Sequence, residues 1–267
     1  RTLISSDEFK AVIDNTRIKK TYSPTTRANL YGLQAIAQLG LEKAGQARAT
    51  LAAATVIDAN AFQVLNATIQ LQLAGSELES AAKTLEKAFS IYPDNPELIL
   101  LSAFMAEQKN DHASARGAYQ KVIDQEPAKI MTLNGRKARL GLIRLEIDDG
   151  NLDRAQTILA PLINANGGDL ESNYLGGMLA FEQGDLDLAE QRLLKVLKLV
   201  PGHSETQLLF GAVNYAQHDY EQAAYYISKY VSAVPENLGA RKLLGRTYMM
   251  FGQSCPEPHG PMCTSTA

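Results

Sequence analysis

The sequence predicts an all-α chain built as a solenoid of antiparallel helix pairs, and three observations carry that prediction. Small residues keep one spacing: Ala47, Ala81 and Ala115 lie 34 residues apart, as do Ala155, Ala189 and Ala223, and Gly177, Gly211 and Gly245. Prolines keep it too, 34 residues from Pro93 to Pro127 and again from Pro201 to Pro235. Turn-forming pairs fall at matching places, in Asn110-Asp111, Gly150-Asn151, Gly184-Asp185 and His218-Asp219. A fixed period of this length marks a repeat architecture, in which each unit buries its apolar face against its neighbours.

Each unit reads as two helices. In 170–203, Tyr174, Leu175, Met178, Leu179 and Phe181 make one apolar stripe at helical spacing, and Leu188, Ala189, Leu193, Val196 and Leu197 make a second. Gly184 tolerates the left-handed conformation that ends a helix, and Asp185 can cap the next one. Pro201 stops the second helix. Gly177 and Ala189 are small enough for the two helices to approach closely. The same phase sets repeats at 28–61, 62–95, 96–129, 136–169, 170–203 and 204–237, with 238–252 as the first helix of a further unit. Residues 1–27 then form an incomplete leading unit whose second helix lies at about 7–20.

This pattern resembles the tetratricopeptide repeat family, with its small residue at slot 8, Ala at slot 20, an apolar residue at slot 24 and Pro at slot 32. Gly211, Ala223, Ile227 and Pro235 carry the match, as do Gly177, Ala189, Leu193 and Pro201, and Ala115, Tyr119 and Pro127. Ala59 and Gly167 depart from it in the proline slot, and Trp is absent. The resemblance implies a right-handed α-solenoid whose concave groove, lined by first helices, holds a peptide or partner helix. Carried over slot by slot, it places Asn66, Gln70 and Leu73 on that groove, then Leu100, Phe104 and Glu107, then Leu140, Arg144 and Ile147. Tyr174, Met178 and Phe181 follow, then Leu208, Ala212 and Tyr215, and finally Lys242, Arg246 and Met249. Some family members clamp a peptide's terminal carboxylates with basic residues in two repeats. Lys242 and Arg246 match half of that clamp, whereas Tyr174 and Met178 replace the other half, so such a ligand is not expected. The stretch Leu209–Gln253 is similar to bacterial tetratricopeptide lipoproteins of exosortase and exopolysaccharide systems. That likeness implies a periplasmic scaffold, lipid-anchored through an N-terminus outside this chain; the alternative is a cytoplasmic one.

Two places break the period. Ala115 and Ala155 lie 40 residues apart, so six extra residues occupy about 130–135. Six residues are about 1.7 helical turns, and Lys129–Asp148 has no proline, so the first helix of the fourth repeat is expected to lengthen. The insertion is either a neutral surface change or an extension that meets a partner beside the groove. The second break is the tail 254–267, with three of the ten prolines and both cysteines, Cys255 and Cys263. Its prolines forbid the second helix that the phase demands. The tail reads as a non-native or irregular terminus, a soft copper site, or a small disulfide loop. Leu243, Leu244, Tyr248, Met249 and Phe251 then offer an apolar face without its next helix, and either end-to-end self-association through 238–252 or folding of 254–267 back across the face is expected.

Composition narrows the function. The 267 residues carry 26 Lys and Arg against 29 Asp and Glu, a net charge of −3, which argues against a nucleic-acid partner. No apolar run approaches the roughly 20 residues of a membrane-spanning helix. A chain opening on Arg1, without a signal-peptide pattern, reads as a processed form or a piece of a longer protein. His112, His203, His218 and His259 are spread along the repeats and cannot converge on one metal, and no nucleotide-loop, zinc-protease or serine-hydrolase motif occurs. Asp148, Asp149 and Glu221 sit at helix ends, where acids serve capping and solubility. Neither catalysis, a cofactor nor a metal is therefore expected. The function expected first is a protein-interaction scaffold in envelope protein sorting or exopolysaccharide secretion. The others are the docking array of a larger enzyme such as a glycosyltransferase, and a cytoplasmic peptide-sensing regulator.

Overall fold

The structure is a computed structural model and describes residues 6–127, 131–166 and 169–254. Among these residues it contains α-helices and no strand. They run α1 (Ser6–Asn15), α2 (Pro24–Gly40), α3 (Ala44–Asp58), α4 (Phe62–Ala74), α5 (Leu78–Ile91), α6 (Pro96–Gln108) and α7 (His112–Asp124). There follow α8 (Leu133–Asp148), α9 (Leu152–Asn166), α10 (Leu170–Glu182), α11 (Leu186–Leu199), α12 (Ser204–Ala216), α13 (Tyr220–Ala233) and α14 (Leu238–Ser254). The chain divides into two compact units, Arg1–Leu142 and Ile143–Ala267.

The period is written into the backbone. Six residues between paired helices have positive φ: Glu42, Ser76, Asn110, Gly150, Gly184 and His218. Each ends a first helix by the left-handed turn that satisfies its last carbonyls. At Gly184, for example, the Gly184 N–H donates to the Phe181 carbonyl at 3.0 Å and the Asp185 N–H to the Ala180 carbonyl at 2.8 Å. The second helices α7, α11 and α13 then start on an aspartate. Asp111, Asp185 and Asp219 each accept the backbone N–H three residues on, at 3.0, 3.0 and 3.1 Å. Such caps satisfy a donor that the first turn leaves orphaned.

In the first unit, α2 packs on α3 and α4, α4 on α5, and α6 on α5 and α7. Ala28, Ala47, Leu51, Ala54 and Val64 form one buried cluster, and Leu65, Ile69, Ala81, Leu85 and Leu98 another. In the second unit, α10 packs on α11, α12 on α11 and α13, and α13 on α14. Ala189, Leu193, Leu197, Phe210 and Val213 are buried together there. Close approach depends on the small residues. A Cβ at Gly177 would meet Leu193 at 2.7 Å, and one at Gly211 would meet Ile227 at 2.5 Å.

Two expectations need correction. The leading helix ends at Asn15 rather than near 20. Asn15 Nδ2 donates to the Ala11 carbonyl at 2.8 Å and the Thr16 hydroxyl to that of Val12, so both side chains turn back and close the last turn with local hydrogen bonds. The cationic run Arg17, Lys19 and Lys20 adds like-charge repulsion beyond it. The insertion lengthens α8 only in part: it has 16 residues, against 13 in α4, α6, α10 and α12. Thr132 stops the extension, because its hydroxyl accepts the Gly135 N–H at 2.9 Å as a helix-starting cap. Residues 128–130, Gly167 and the tail from Cys255 onward lie outside the described residues, so the copper and disulfide readings of the tail do too. No described helix is long and apolar enough to cross a membrane.

Candidate partner-binding face

In the second unit, α10 touches α12 and α12 touches α14, so three first helices lie side by side. Their shared face opens into a pocket of about 450 Å³. Tyr174 and Met178 from α10 line it with Leu208 and Ala212 from α12 and Leu243 from α14. These side chains remain half-buried after folding. Tyr174 rests edge-on against the His203 ring, with centroids 5.6 Å apart. Burial, and then the charge of Glu205, push its phenol above the usual tyrosine range, so it stays a neutral hydroxyl at physiological pH. His203 is held in turn: its Nδ1 accepts the Thr206 N–H at 3.2 Å. Glu205 sits on the rim. Burial pushes its carboxyl up, but backbone and Ser204 hydrogen bonds and the neighbouring His203 hold it below the ordinary value. The pocket therefore has an apolar floor and one fixed negative edge.

Asn66 and Gln70 come together in the first unit. Asn66 is buried; its Nδ2 donates to Glu97 Oε2 at 2.8 Å, while its Oδ1 accepts from Gln70 Nε2 at 2.8 Å. This chain of amides lines an open pocket of about 280 Å³ whose other walls include Ile36, Leu133 and Lys137.

The remaining expected residues are not gathered into either pocket. Phe104 is exposed on α6. Arg144 on α8 lies 3.8 Å from Glu171. Phe181 packs against the buried α10–α11–α12 cluster. Tyr215 meets Tyr220 edge-on at 5.6 Å. Lys242 and Arg246 are exposed on α14. Leu140 and Ile147, assigned to the groove by resemblance, are only 2% and 6% exposed and belong to the core. Ala138, Leu142, Ile143 and Leu145 are buried around them, so α8 packs on more than one face and those slots are covered.

The structure also adds residues that slot reasoning passes over. Tyr230 reaches the larger pocket from a second helix, its hydroxyl accepting from Asn237 Nδ2 at 3.0 Å. Glu146 is fully buried, taking Asn151 Nδ2 at 2.7 Å and Arg154 Nε at 3.2 Å. Its position on an apolar helix face is the one signal in the sequence that could have flagged it. Among the described residues, no three His, Cys, Asp or Glu side chains gather as they would around a metal ion.

Comparison with known proteins now places this geometry. The family model of the protein kinase G tetratricopeptide repeat matches residues 90–235, more than half of the 267-residue chain. The chain belongs to the protein kinase G tetratricopeptide repeat family. As a tetratricopeptide repeat chain it is also 33% identical, over 100 residues, to cellulose synthase operon protein C of Escherichia coli (strain K12). That match covers 38% of this chain and 8% of the relative, so the chain spans a small fraction of that protein's length. A tetratricopeptide repeat protein from Parabacteroides merdae superposes with a TM-score of 0.64 at 21% identity, covering 91% of this chain and 90% of the other. The Cut9–Hcn1 hetero-tetramer of APC/C gives 0.77 at 14% identity, over 91% of this chain and 46% of the other. Both share the all-α solenoid fold of tetratricopeptide repeats. Membership of this tetratricopeptide repeat family supports a protein-interaction scaffold.

Proposed function

We propose that this scaffold is non-catalytic and holds a partner peptide or helix against its first helices, in bacterial envelope protein sorting or exopolysaccharide secretion. One observation carries the reading: the apolar pocket of about 450 Å³ on α10, α12 and α14, where Tyr174, Met178 and Leu243 stay half-exposed. Tyr and Met are typical interface anchors, and an unfilled apolar cleft is what an amphipathic partner covers. Lys242 and Arg246 flank Leu243 on α14 and favour acidic residues beside the partner's apolar anchor. The likeness to a protein named for a cellulose synthase operon supports the exopolysaccharide setting, and the proposal includes a periplasm-facing, lipid-anchored location. The family's own name favours a second reading, a docking array within a larger enzyme.

A photo-crosslinking residue placed at Met178 should capture one partner in cells, while the same residue at Tyr225, exposed on α13, should not. Met178→Glu should lower the affinity for that partner at least tenfold, about 1.4 kcal/mol or more, with the helical circular dichroism unchanged. Equal capture from both positions would move the interface elsewhere.

The reading extends to α14. Tyr248 and Met249 are 53% and 63% exposed, and a Cβ at Gly245 would meet nothing within 4 Å. This open surface supports end-to-end association of copies through 238–252. Light scattering over a concentration series should show mass rising with concentration, and Met249→Lys should abolish the rise. A constant monomer mass throughout would rule the association out.

A further inference from the structure

A second pocket, on α9, α10 and α11, shares no lining residue with the face just described. It is organised around Arg192. The arginine stem lies across Gly176: a Cβ there would meet Arg192 Cδ at 3.1 Å and Nε at 3.4 Å. The guanidinium is then held from behind, Nη1 donating to Asn173 Oδ1 at 3.3 Å. Asn173 is buried, and its Nδ2 donates to the Asp169 carbonyl at 2.7 Å. That bond fixes the amide so that its oxygen faces the guanidinium. An amide oxygen carries no net charge, and Arg192 has no acidic partner among the described residues. The cation is thus positioned but not neutralised, with most of its N–H donors still to be used.

The space beside it has a volume of about 130 Å³. Leu159, Ile163 and Leu188 supply apolar walls, and the amides of Gln156, Asn164 and Gln183 stand around them. The volume is close to the roughly 150 Å³ of a cavity that takes up benzene, which limits a ligand to about half a dozen heavy atoms. A guanidinium matches a carboxylate by a bidentate fork, and short apolar walls ask for a short alkyl body. We propose that this pocket binds a propionate-like group, a carboxylate on two methylenes, through Arg192. Two sources offer that group: a free short-chain acid, and the glutamate side chain of a partner segment.

Methyl NMR of the full chain tests the proposal, at constant ionic strength with chloride as the balancing anion. The probes are sodium propionate, neutral propionamide and the blocked peptide acetyl-Ala-Glu-Ala-amide. Saturable shifts of the Leu159, Ile163 and Leu188 methyls are expected with propionate, with the peptide, or with both, and none with propionamide. Arg192→Gln should weaken that binding at least tenfold, and Arg48→Gln, at an exposed cation on α3, should leave it unchanged. Response to propionate alone assigns a free acid, and a response to the peptide assigns a partner glutamate. Shifts that propionamide reproduces, or that persist in Arg192→Gln, would overturn the proposal, as would no response to either acid. The methyl shifts of the unmutated chain keep the test decisive even should Arg192→Gln fail to fold.

Discussion

Glu126→Ala should destabilise the first unit by about 3 kcal/mol, the low end of the cost of breaking a buried ion pair. The side chains of Glu126 and Arg139 are only 7% and 19% exposed, and Arg139 Nη1 donates to Glu126 Oε2. On its other oxygen Glu126 accepts the Thr132 N–H at 2.5 Å and the Thr132 hydroxyl at 3.0 Å. One carboxylate therefore ties the end of α7 to the cap and second turn of α8, across the inserted residues. Gly135 lies so close that an added Cβ would run into the same carboxylate. Alanine would leave Arg139 short of its counter-charge and the Thr132 N–H without its acceptor. Urea denaturation should show the loss as a lowered midpoint. Burial pushes the Glu126 carboxyl up, but the Thr132 and Arg139 hydrogen bonds and the Arg139 charge outweigh it, so the group sits below its ordinary 4.5. A depressed carboxyl contributes its full stability above the unfolded value and loses it as pH falls through the folded one. The stability gap between the natural chain and Glu126→Gln should accordingly be constant near neutrality and shrink as pH drops below about 4.5. A gap that does not change with pH would show that the charge contributes nothing.

Nothing in the sequence reveals that clasp, since Glu126 and Arg139 look like ordinary surface charges until the insertion is folded around them. The period itself was legible, because it rests on local rules. Gly150 and Gly184 announce left-handed turns, and Asp111, Asp185 and Asp219 announce the caps after them. Glu42 and Ser76 adopt the same positive φ without a local preference for it. There the packing of the helix pair overrides an intrinsic cost of roughly 1–2 kcal/mol, and only their place in the period predicts the turn. The pocket divides the same way. Tyr174 and Met178 follow from slot and helical spacing, whereas Tyr230 arrives from another helix and depends on how α13 crosses α12. Leu140 and Ile147 kept the right spacing but lie buried, because α8 packs on more than one face.

The contact between Gly177 and Leu193 gives the sharpest test of the repeat core. Leu193 is fully buried, and its Cγ and Cδ2 occupy the space into which a Cβ at Gly177 would project, 2.7 Å away. Leu193→Ala should cost roughly 2–5 kcal/mol, the transfer term of the lost methyls plus a cavity that the helix pair cannot close. Gly177→Ala alone should cost about 1–3 kcal/mol through overpacking, partly offset by the roughly 1 kcal/mol that alanine gains over glycine inside a helix. Combined, the two changes relieve each other: the new Cβ enters the volume that Leu193 vacates, and the overpacking term disappears while the helix term stays. Gly177→Ala should therefore be neutral or stabilising by up to about 1 kcal/mol in the Leu193→Ala background. A double-mutant cycle read by thermal and urea denaturation measures the coupling directly. Strictly additive costs would mean that the two side chains do not compete for one space, and that the small residue at this position has some purpose other than close approach of α10 and α11.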